Sequence, residues 1–287
     1  MELMDYHNHH YRCGHAKGTI EDYIKVAVEK SLAEIGIADH FPLGASVDEE
    51  KHADLIKTVS MKVGEFPNYI QEIKDLREKY RGKINVKIST EVGFMTSGIH
   101  LDMQKKVLEP FMDDFDYLLC GVHELKFDER PFIPLSLGID PNTLKTYGED
   151  KIHHEYIKKM KSMVETGYFD ICTHLDNHKA LWLPEDVTYS ETAWQEMMEL
   201  LDTIKSQDMA VEINTSGTWK RLHSQFPGDE IVKEMIQREI PLTLSSDAHR
   251  PENIGYQFQE FIEKAKPWGL THLCSFDKRV QKLILVD

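Results

Sequence analysis

The stretch Glu2-Leu-Met-Asp-Tyr-His-Asn-His9 joins a short apolar run to a His-x-His pair near the start of the chain. Alternate residues of an extended strand project to the same side, so His7 and His9 can approach one ion together. Imidazole nitrogen is a ligand that suits Zn, Fe and Ni. The segment therefore predicts a first strand over Glu2–Asp5 whose end carries metal ligands.

Short apolar runs of the same kind recur along the chain and alternate with amphipathic segments that have a helical period. Thr19, followed by Asp22, has the pattern of an N-cap at the start of the first helix. Alternation of strands and helices favours a parallel sheet, and seven such units fit a closed or nearly closed α/β barrel. The other predicted strands are Glu34–Ala38, Ile84–Ser89, Tyr117–Val122, Phe169–Thr173, Met209–Ile213 and Leu242–Ser245, and the later helices are placed at 66–76, Lys151–Glu165, Ala193–Lys205, Glu230–Arg238 and Pro251–Ala265.

Potential metal ligands stand at almost every predicted strand end. In parallel α/β barrels the C-terminal strand ends gather on one face, so these side chains are expected to converge. One zinc ion usually takes four ligands, and this set exceeds four, so convergence predicts more than one ion. The candidates are His7, His9, Asp39, His40, Glu91, His123, His174, Glu212, Asn214, Asp247 and His249.

Each candidate also has an ordinary structural interpretation, because a single histidine at a strand end is usually a hydrogen-bonded polar residue. Asp39 and Asp176 are interpreted as orienting histidines, as donating a proton to the leaving group, or as capping loops; Glu212 and Asn214 as lining the site or as structural. His10 lies beside the His-x-His pair, and the sequence assigns it no role. Histidines on predicted helices and loops are interpreted as ordinary polar residues: His52, His100, His153, His154 and His178.

Composition limits the possible functions of the chain. The 287 residues, 41% of them hydrophobic, suffice for a single domain spanning 1–287. The net charge of −15 argues against general binding of nucleic acids or membranes, and a phosphorylated substrate would need a local positive centre such as metal ions. The chain lacks a run of about 18 apolar residues, a signal-peptide pattern and a CxxC pair, which favours a reducing, cytoplasmic setting. The segment Glu124–Glu149 is rich in proline and is expected to be a loop insertion over one end of the barrel.

Together these motifs resemble the PHP (polymerase and histidinol phosphatase) superfamily along nearly the whole chain. The His7-x-His9 pair, Asp39-His40 and the final Asp247-x-His249 follow the order of the family's motifs. The segments Cys13-Gly-His15-Ala and Glu212-Ile-Asn-Thr-Ser-Gly217 look like its histidinol-phosphate phosphatase branch. The resemblance implies a distorted (β/α)7 barrel with three divalent ions, Zn, Fe or Mn, at the C-terminal strand ends.

By residue-by-residue transfer, the resemblance also implies which side chains bind each ion. It adds His15, whose loop position carries little signal alone. Glu91 would serve two of the ions. The first ion would take His7, His9, Glu91 and Asp247, the second Glu91, His123 and His174, and the third His15, His40 and His249.

The function implied is hydrolysis of L-histidinol phosphate to L-histidinol and phosphate in histidine biosynthesis, with attack by a hydroxide that bridges two ions. Adjacent ions would lower the pKa of a bound water and clamp phosphate oxygens. Glu91, Asp247 and Asp39 are the expected catalytic residues, and Arg221 and Arg250 the expected phosphate-binding residues. The alternatives are another PHP-type phosphoesterase, such as a general or phosphotyrosine phosphatase or a small nuclease, and a metal-binding interaction domain without catalysis.

Overall fold

The computed structural model describes residues 2–95, 98–127, 130–135, 141–182, 188–218 and 223–286. The strands are β1 (Met4–Asp5), β2 (Glu34–Ile37), β3 (Asn85–Ile88), β4 (Glu91–Gly93), β5 (Leu119–Gly121), β6 (Glu124–Phe127), β7 (Arg130–Pro134), β8 (Ile171–Cys172), β9 (Ala210–Asn214), β10 (Leu242–Ser245), β11 (His272–Asp277) and β12 (Val280–Leu285). The helices are α1 (Ile20–Glu29), α2 (Ala53–Val59), α3 (Phe66–Lys79), α4 (Gly98–Leu108), α5 (Pro141–Tyr147), α6 (Glu149–Val164), α7 (Glu191–Ser206), α8 (Asp229–Gln237) and α9 (Phe258–Ala265).

Two parallel sheets form the centre of the fold. One has the strand order β1–β2–β3, and the other has the order β10–β9–β8–β5–β4. Backbone hydrogen bonds join them on both sides: Tyr6 N donates to Leu244 O at 3.1 Å, and Phe41 N donates to Glu91 O at 2.8 Å. The predicted α/β fold with parallel strands is therefore confirmed.

Most of the parallel strands are deeply buried. Every residue of β2, β9 and β10 is buried, as expected for parallel strands that are covered on both faces. Around β1, Tyr6 stacks on Tyr117 with ring centroids 4.6 Å apart. Gly36 of β2 permits this packing, because a Cβ there would lie 1.6 Å from the Tyr117 hydroxyl oxygen.

The first helix begins where the sequence predicts. Thr19 is the N-cap of α1, and its side chain and that of Asp22 form a reciprocal capping box. The buried face of this helix contains Ile20, Tyr23, Ile24 and Ala27, which follow the helical period. No helix in the described ranges is both long and apolar enough to cross a lipid bilayer.

Four expectations differ from the structure. The predicted strand Ile84–Ser89 is followed directly by β4, which pairs with β5 in the other sheet. Part of Glu124–Glu149 forms the antiparallel pair β6–β7 and the helix α5 instead of loop alone. The helix expected over Pro251–Ala265 begins only at Phe258, because Gly255 and Gln257 have positive φ angles of 65° and 54°. The C-terminal hairpin β11–β12 lacks a counterpart in the prediction.

Candidate metal centre

Most of the predicted ligands lie in segments that follow the C-terminal ends of parallel strands, and Glu91 is the first residue of β4. His7 and His9 follow β1, His123 follows β5, and His174 follows β8. Hydrogen-bonding and ring contacts link all nine ligands that the resemblance implies into one continuous cluster of side chains. The nine are His7, His9, His15, His40, Glu91, His123, His174, Asp247 and His249.

Glu91 lies at the centre of this cluster, fully buried, and its two oxygens face different histidines. Its Oε1 lies 3.0 Å from Nε2 of both His123 and His174. Its Oε2 lies 2.7 Å from His40 Nδ1 and 3.4 Å from His7 Nε2. A carboxylate in this position can bridge two ions, one on each side.

Six imidazoles of the cluster also approach each other in pairs, Nε2 to Nε2. Two nitrogens bound at 2.0–2.1 Å to one tetrahedral ion lie about 3.3 Å apart, so each pair has the spacing of two ligands of one ion. The pairs are His7 and His9 at 3.0 Å, His15 and His249 at 3.0 Å, and His123 and His174 at 3.2 Å.

The opposite nitrogen, Nδ1, faces a hydrogen-bond acceptor in four of these histidines. It lies 2.9 Å from Glu212 Oε2 in His7 and 3.3 Å from Asp39 Oδ1 in His9. In His15 it lies 3.0 Å from the carbonyl oxygen of Thr58, and in His249 it lies 3.0 Å from that of Asp247. An acceptor at Nδ1 fixes the proton there and leaves the Nε2 lone pair for a metal.

Backbone geometry at two candidate ligands is strained. His174 has a φ angle of 28° and Asp247 has one of 48°, which are unusual values for residues other than glycine. Gly121 leaves the space that His174 occupies, because a Cβ at Gly121 would lie 2.6 Å from His174 Cε1. The hydroxyl of Ser216 lies 3.1 Å from Asp247 Oδ2, and Asp247 Oδ1 lies 3.1 Å from His9 Nε2. The fold therefore holds both side chains toward the cluster at some conformational cost.

The electrostatics of the cluster favour positive charge at its centre. Burial alone would raise the pKa of Glu91, but the imidazoles of His123 and His7 hold it well below its ordinary value. Burial alone would lower the pKa of His9, but hydrogen bonds to Asp247 and Asp39 raise it to about 9. Buried carboxylates thus attract cationic partners, and metal ions would supply the same charge.

A buried atom without a well-directed hydrogen bond to the described residues, and the types of ligand atom in the cluster, also fit metal ions. Glu91 Oε2 is buried and has no well-directed hydrogen-bond partner among the described residues. The set offers nitrogen and oxygen in compact groups, such as His9 with His40 and His249, and Glu91 with His40 and His123. This donor chemistry suits Zn, Fe or Mn.

The cluster is closed at its base and open on one side. His7 and His9 are completely buried, whereas the side chains of His40, His123 and His249 are 21%, 26% and 29% exposed. A ligand from solvent can therefore reach the cluster from the side of the exposed histidines.

Two predicted residues, Asp39 and Asp176, are not members of the nine-residue cluster. Asp39 lies behind His9, away from the open side, and its Oδ1 also accepts the backbone N–H of His40 at 2.8 Å. Asp176 accepts from Gly228 N at 2.9 Å and lies 3.0 Å from Lys179 Nζ, so its partners are a neighbouring loop and the 3-10 turn that directly follows it.

The structure describes one of the two predicted phosphate-binding arginines. The side chain of Arg250 is 54% exposed, and its Nη1 lies 3.9 Å from Glu252 Oε1. Arg221 lies outside the described residues. Binding of phosphate by either arginine therefore stays a prediction.

The positions of Glu212, Asn214 and Ser216 are more informative than the sequence indicated. Glu212 contacts His7 and also accepts from the backbone N–H of His174 at 2.8 Å. The amide of Asn214 donates to Glu212 at 2.7 Å. The spacing of Glu212 and Asn214 on β9 could have revealed their common face, but Ser216 carries no such signal.

Comparison with known proteins identifies the family of the chain. The PHP domain family matches residues 5–216, well over half of the chain. A Deinococcus radiodurans protein, described as a probable histidinol-phosphatase, is 28% identical over 275 residues, covering 93% of this chain and 94% of its own. A Listeria monocytogenes crystal structure, provisionally a histidinol phosphatase, has a TM-score of 0.81 at 22% identity and covers 90% of this chain and 99% of its own.

A further solved structure is that of histidinol phosphate phosphatase from Lactococcus lactis, complexed with zinc, L-histidinol and phosphate. It has a TM-score of 0.73 at 20% identity and covers 98% of this chain and 99% of its own. At these identities the solved structures support the fold alone. The family match over residues 5–216 goes further, and the chain belongs to the PHP domain family.

Proposed function

We propose that this protein is a metal-dependent phosphomonoester hydrolase that converts L-histidinol phosphate to L-histidinol and phosphate, a step of histidine biosynthesis. The observation that carries the proposal is Glu91, which has imidazoles within 3.0 Å of both carboxylate oxygens. The substrate comes from the relatives, since the Deinococcus radiodurans protein is named for this activity and aligns over 93% of the chain.

The proposed architecture is one domain spanning 1–287, a distorted (β/α)7 barrel with its site at the C-terminal strand ends. Two bonds between the parallel sheets support closure. Tyr6 N bonds to Leu244 O beside β1, and Glu91 N bonds to Asp39 O at 3.0 Å beyond β2. Active sites of α/β barrels form at this face because the loops that follow the strands meet there.

We assign three divalent ions, one to each Nε2 pair. His7 and His9 would share an ion with Glu91 and Asp247, and His123 and His174 would share one with the other oxygen of Glu91. His15, His40 and His249 would hold the third ion. Zinc in the Lactococcus lactis structure supports a divalent metal, and the spacing within each pair supports the count. Elemental analysis of the purified protein should give two to three ions per chain, and one or fewer would contradict the assignment.

When bound, the ions supply positive charge for the phosphate oxygens and an acidified water. The chain itself performs the positioning. Glu91 would set the separation of the two ions that share it, and Asp247 would complete the ligands of the first ion. Glu212 and Asp39 hold His7 and His9 with Nε2 directed inward. The open side beside His40 and His249 would admit the phosphate, and Arg221 and Arg250 are proposed to bind it as it enters.

The proposed partner is a small phosphorylated molecule, without nucleic acid or membrane partners, in the cytoplasm. The net charge of −15 supports this, because an acidic surface repels polyanions such as nucleic acids and anionic membranes. A small phosphate ester needs only one local cationic site. All four cysteines are buried thiols, in keeping with a reducing compartment.

The decisive experiment measures kcat/KM for histidinol phosphate, p-nitrophenyl phosphate, phosphotyrosine and short oligonucleotides on protein of known metal content. Histidinol phosphate should be the preferred substrate. A preference for phosphotyrosine or oligonucleotides would favour another PHP-type activity. Full metal content without turnover of any ester would favour a non-catalytic metal-binding domain.

A further inference from the structure

His10 directly follows the His7-x-His9 pair but points away from the cluster. It is 1% exposed, and its ring packs against that of Tyr69 with centroids 5.4 Å apart. Its Nδ1 accepts the backbone N–H of Arg12 at 3.4 Å, which caps the short 3-10 turn Tyr11–Cys13. Because Nδ1 accepts a hydrogen bond, the proton of the neutral ring is on Nε2.

That Nε2 faces Asp39. It lies 3.2 Å from Asp39 Oδ2, which is an electrostatic contact, because neither atom has a hydrogen bond of good geometry among the described residues. The other oxygen, Oδ1, accepts from His40 N and faces His9 Nδ1 at 3.3 Å. The backbone N–H of Asp39 donates to the Tyr69 hydroxyl at 3.2 Å. Asp39 is therefore held on its backbone and on Oδ1; the imidazole of His10 lies beside Oδ2, and the Cys13 thiol also contacts the carboxylate.

We propose that His10 is a positioning residue that orients the Asp39 carboxylate on His9, so that His9 presents Nε2 to the metal centre. A buried carboxylate held through one oxygen alone can rotate about its terminal torsion, and its direction toward Nδ1 of His9 would then vary. Contact with both oxygens removes that freedom. The expected effect on turnover rests on the proposed function. The expected effect on zinc binding does not, because zinc release is measured separately.

Two amide substitutions separate the two contacts of His10. Glutamine can place an N–H donor near the position of Nε2, so His10→Gln keeps the Asp39 contact and loses the cap. Asparagine can place an acceptor near the position of Nδ1, so His10→Asn keeps the cap and loses the Asp39 contact. His10→Ala loses both contacts.

The measurement is the release of zinc from the zinc-loaded protein to a competing chelator, beside kcat/KM for histidinol phosphate and circular dichroism for the fold. His10→Ala and His10→Asn should lose zinc about 10-fold faster or more, and His10→Gln should remain within about 3-fold of wild type, as for other partners of metal-binding histidines. If His10→Ala does not fold, the matched Gln and Asn variants still decide the question.

The proposal is overturned if His10→Asn retains zinc as well as wild type, or if His10→Gln releases it as fast as His10→Asn. Failure of the proposed function would look different. In that case the wild-type protein would retain zinc and hydrolyse no histidinol phosphate, while the zinc measurements would still decide the role of His10.

Discussion

Two buried histidine pairs in this molecule have similar nitrogen spacing but different surroundings. His7 and His9 face each other across 3.0 Å, and His153 Nδ1 lies 2.5 Å from His178 Nε2. All four side chains are fully buried. Proximity of two imidazoles is therefore not sufficient to identify a metal site.

The neighbours of each pair make the difference. Carboxylates of Glu212 and Glu91 overcome burial and raise the pKa of His7 well above its usual value. His178 instead stacks on Tyr156 with ring centroids 4.1 Å apart, and burial lowers its pKa well below the usual value. The first pair lies where positive charge is stabilised, and the second lies where neutral rings are favoured.

The largest expected effect comes from replacing Glu91, the carboxylate that lies beside the His7–His9 pair. Glu91→Gln should lower kcat/KM for histidinol phosphate by on the order of 10³-fold or more, because an amide bridges two ions poorly. Circular dichroism should show a retained fold. A variant with full metal content and normal turnover would show that the bridging assignment is wrong.

The next effect concerns the carboxylate behind the cluster. Glu212→Gln should weaken metal binding or activity about 10- to 100-fold, because Glu212 orients His7 through Nδ1. Chelator competition on the metal-loaded protein measures it. An unchanged affinity would mean that the His7 orientation is set by packing alone.

For the His153–His178 pair we expect an effect of pH on the stability of the fold, and no effect on metal affinity. Burial lowers the pKa of His153 from 6.5 to about 4. The unfolded chain therefore binds a proton more readily between these values, and stability is present above pH 6.5 and lost as the pH falls toward 4. For this residue the loss from pH 7 to pH 5 is roughly 2 kcal/mol.

His153→Asn tests this, because asparagine can retain the Nδ1 contact to His178 but does not titrate. Denaturant unfolding of the metal-free protein at pH 7 and pH 5 should show a smaller acid loss for the variant than for wild type. Equal losses would mean that His153 is not the neutral buried base described.

The smallest effect is expected at the surface, one residue farther along the same helix. His154 Nδ1 lies 2.7 Å from Glu196 Oε1, and the histidine side chain is 53% exposed. Glu196→Gln is the matched control for Glu212→Gln and should change stability by less than about 1 kcal/mol, with metal affinity unchanged. A loss of metal in this variant would undermine the distinction between buried and exposed carboxylate–histidine pairs.

The sequence by itself determined the alternation of strands and helices and the positions of most ligand candidates. Strand ends such as Asp39-His40 and Asp247-x-His249 are local signals, because two polar residues with metal-binding side chains closely follow a short run that is rich in apolar residues. The Thr19–Asp22 cap is local in the same way, and so its prediction succeeded. Local signals do not report distant partners, which is why the pairing of β4 with β5 and the hairpin β11–β12 were not anticipated.

Only the tertiary structure decided which polar residues meet. His7 and Glu212 are 205 residues apart in the chain, and His15 and His249 are 234 apart, yet each pair is in contact. For the same reason the sequence assigned no role to His10, whose neighbour Asp39 is 29 residues away in the chain and is identified only by the structure. These contacts depend on how the loops beyond the strands pack together, and that packing is set by the whole core, which a reading of residue spacing cannot reconstruct.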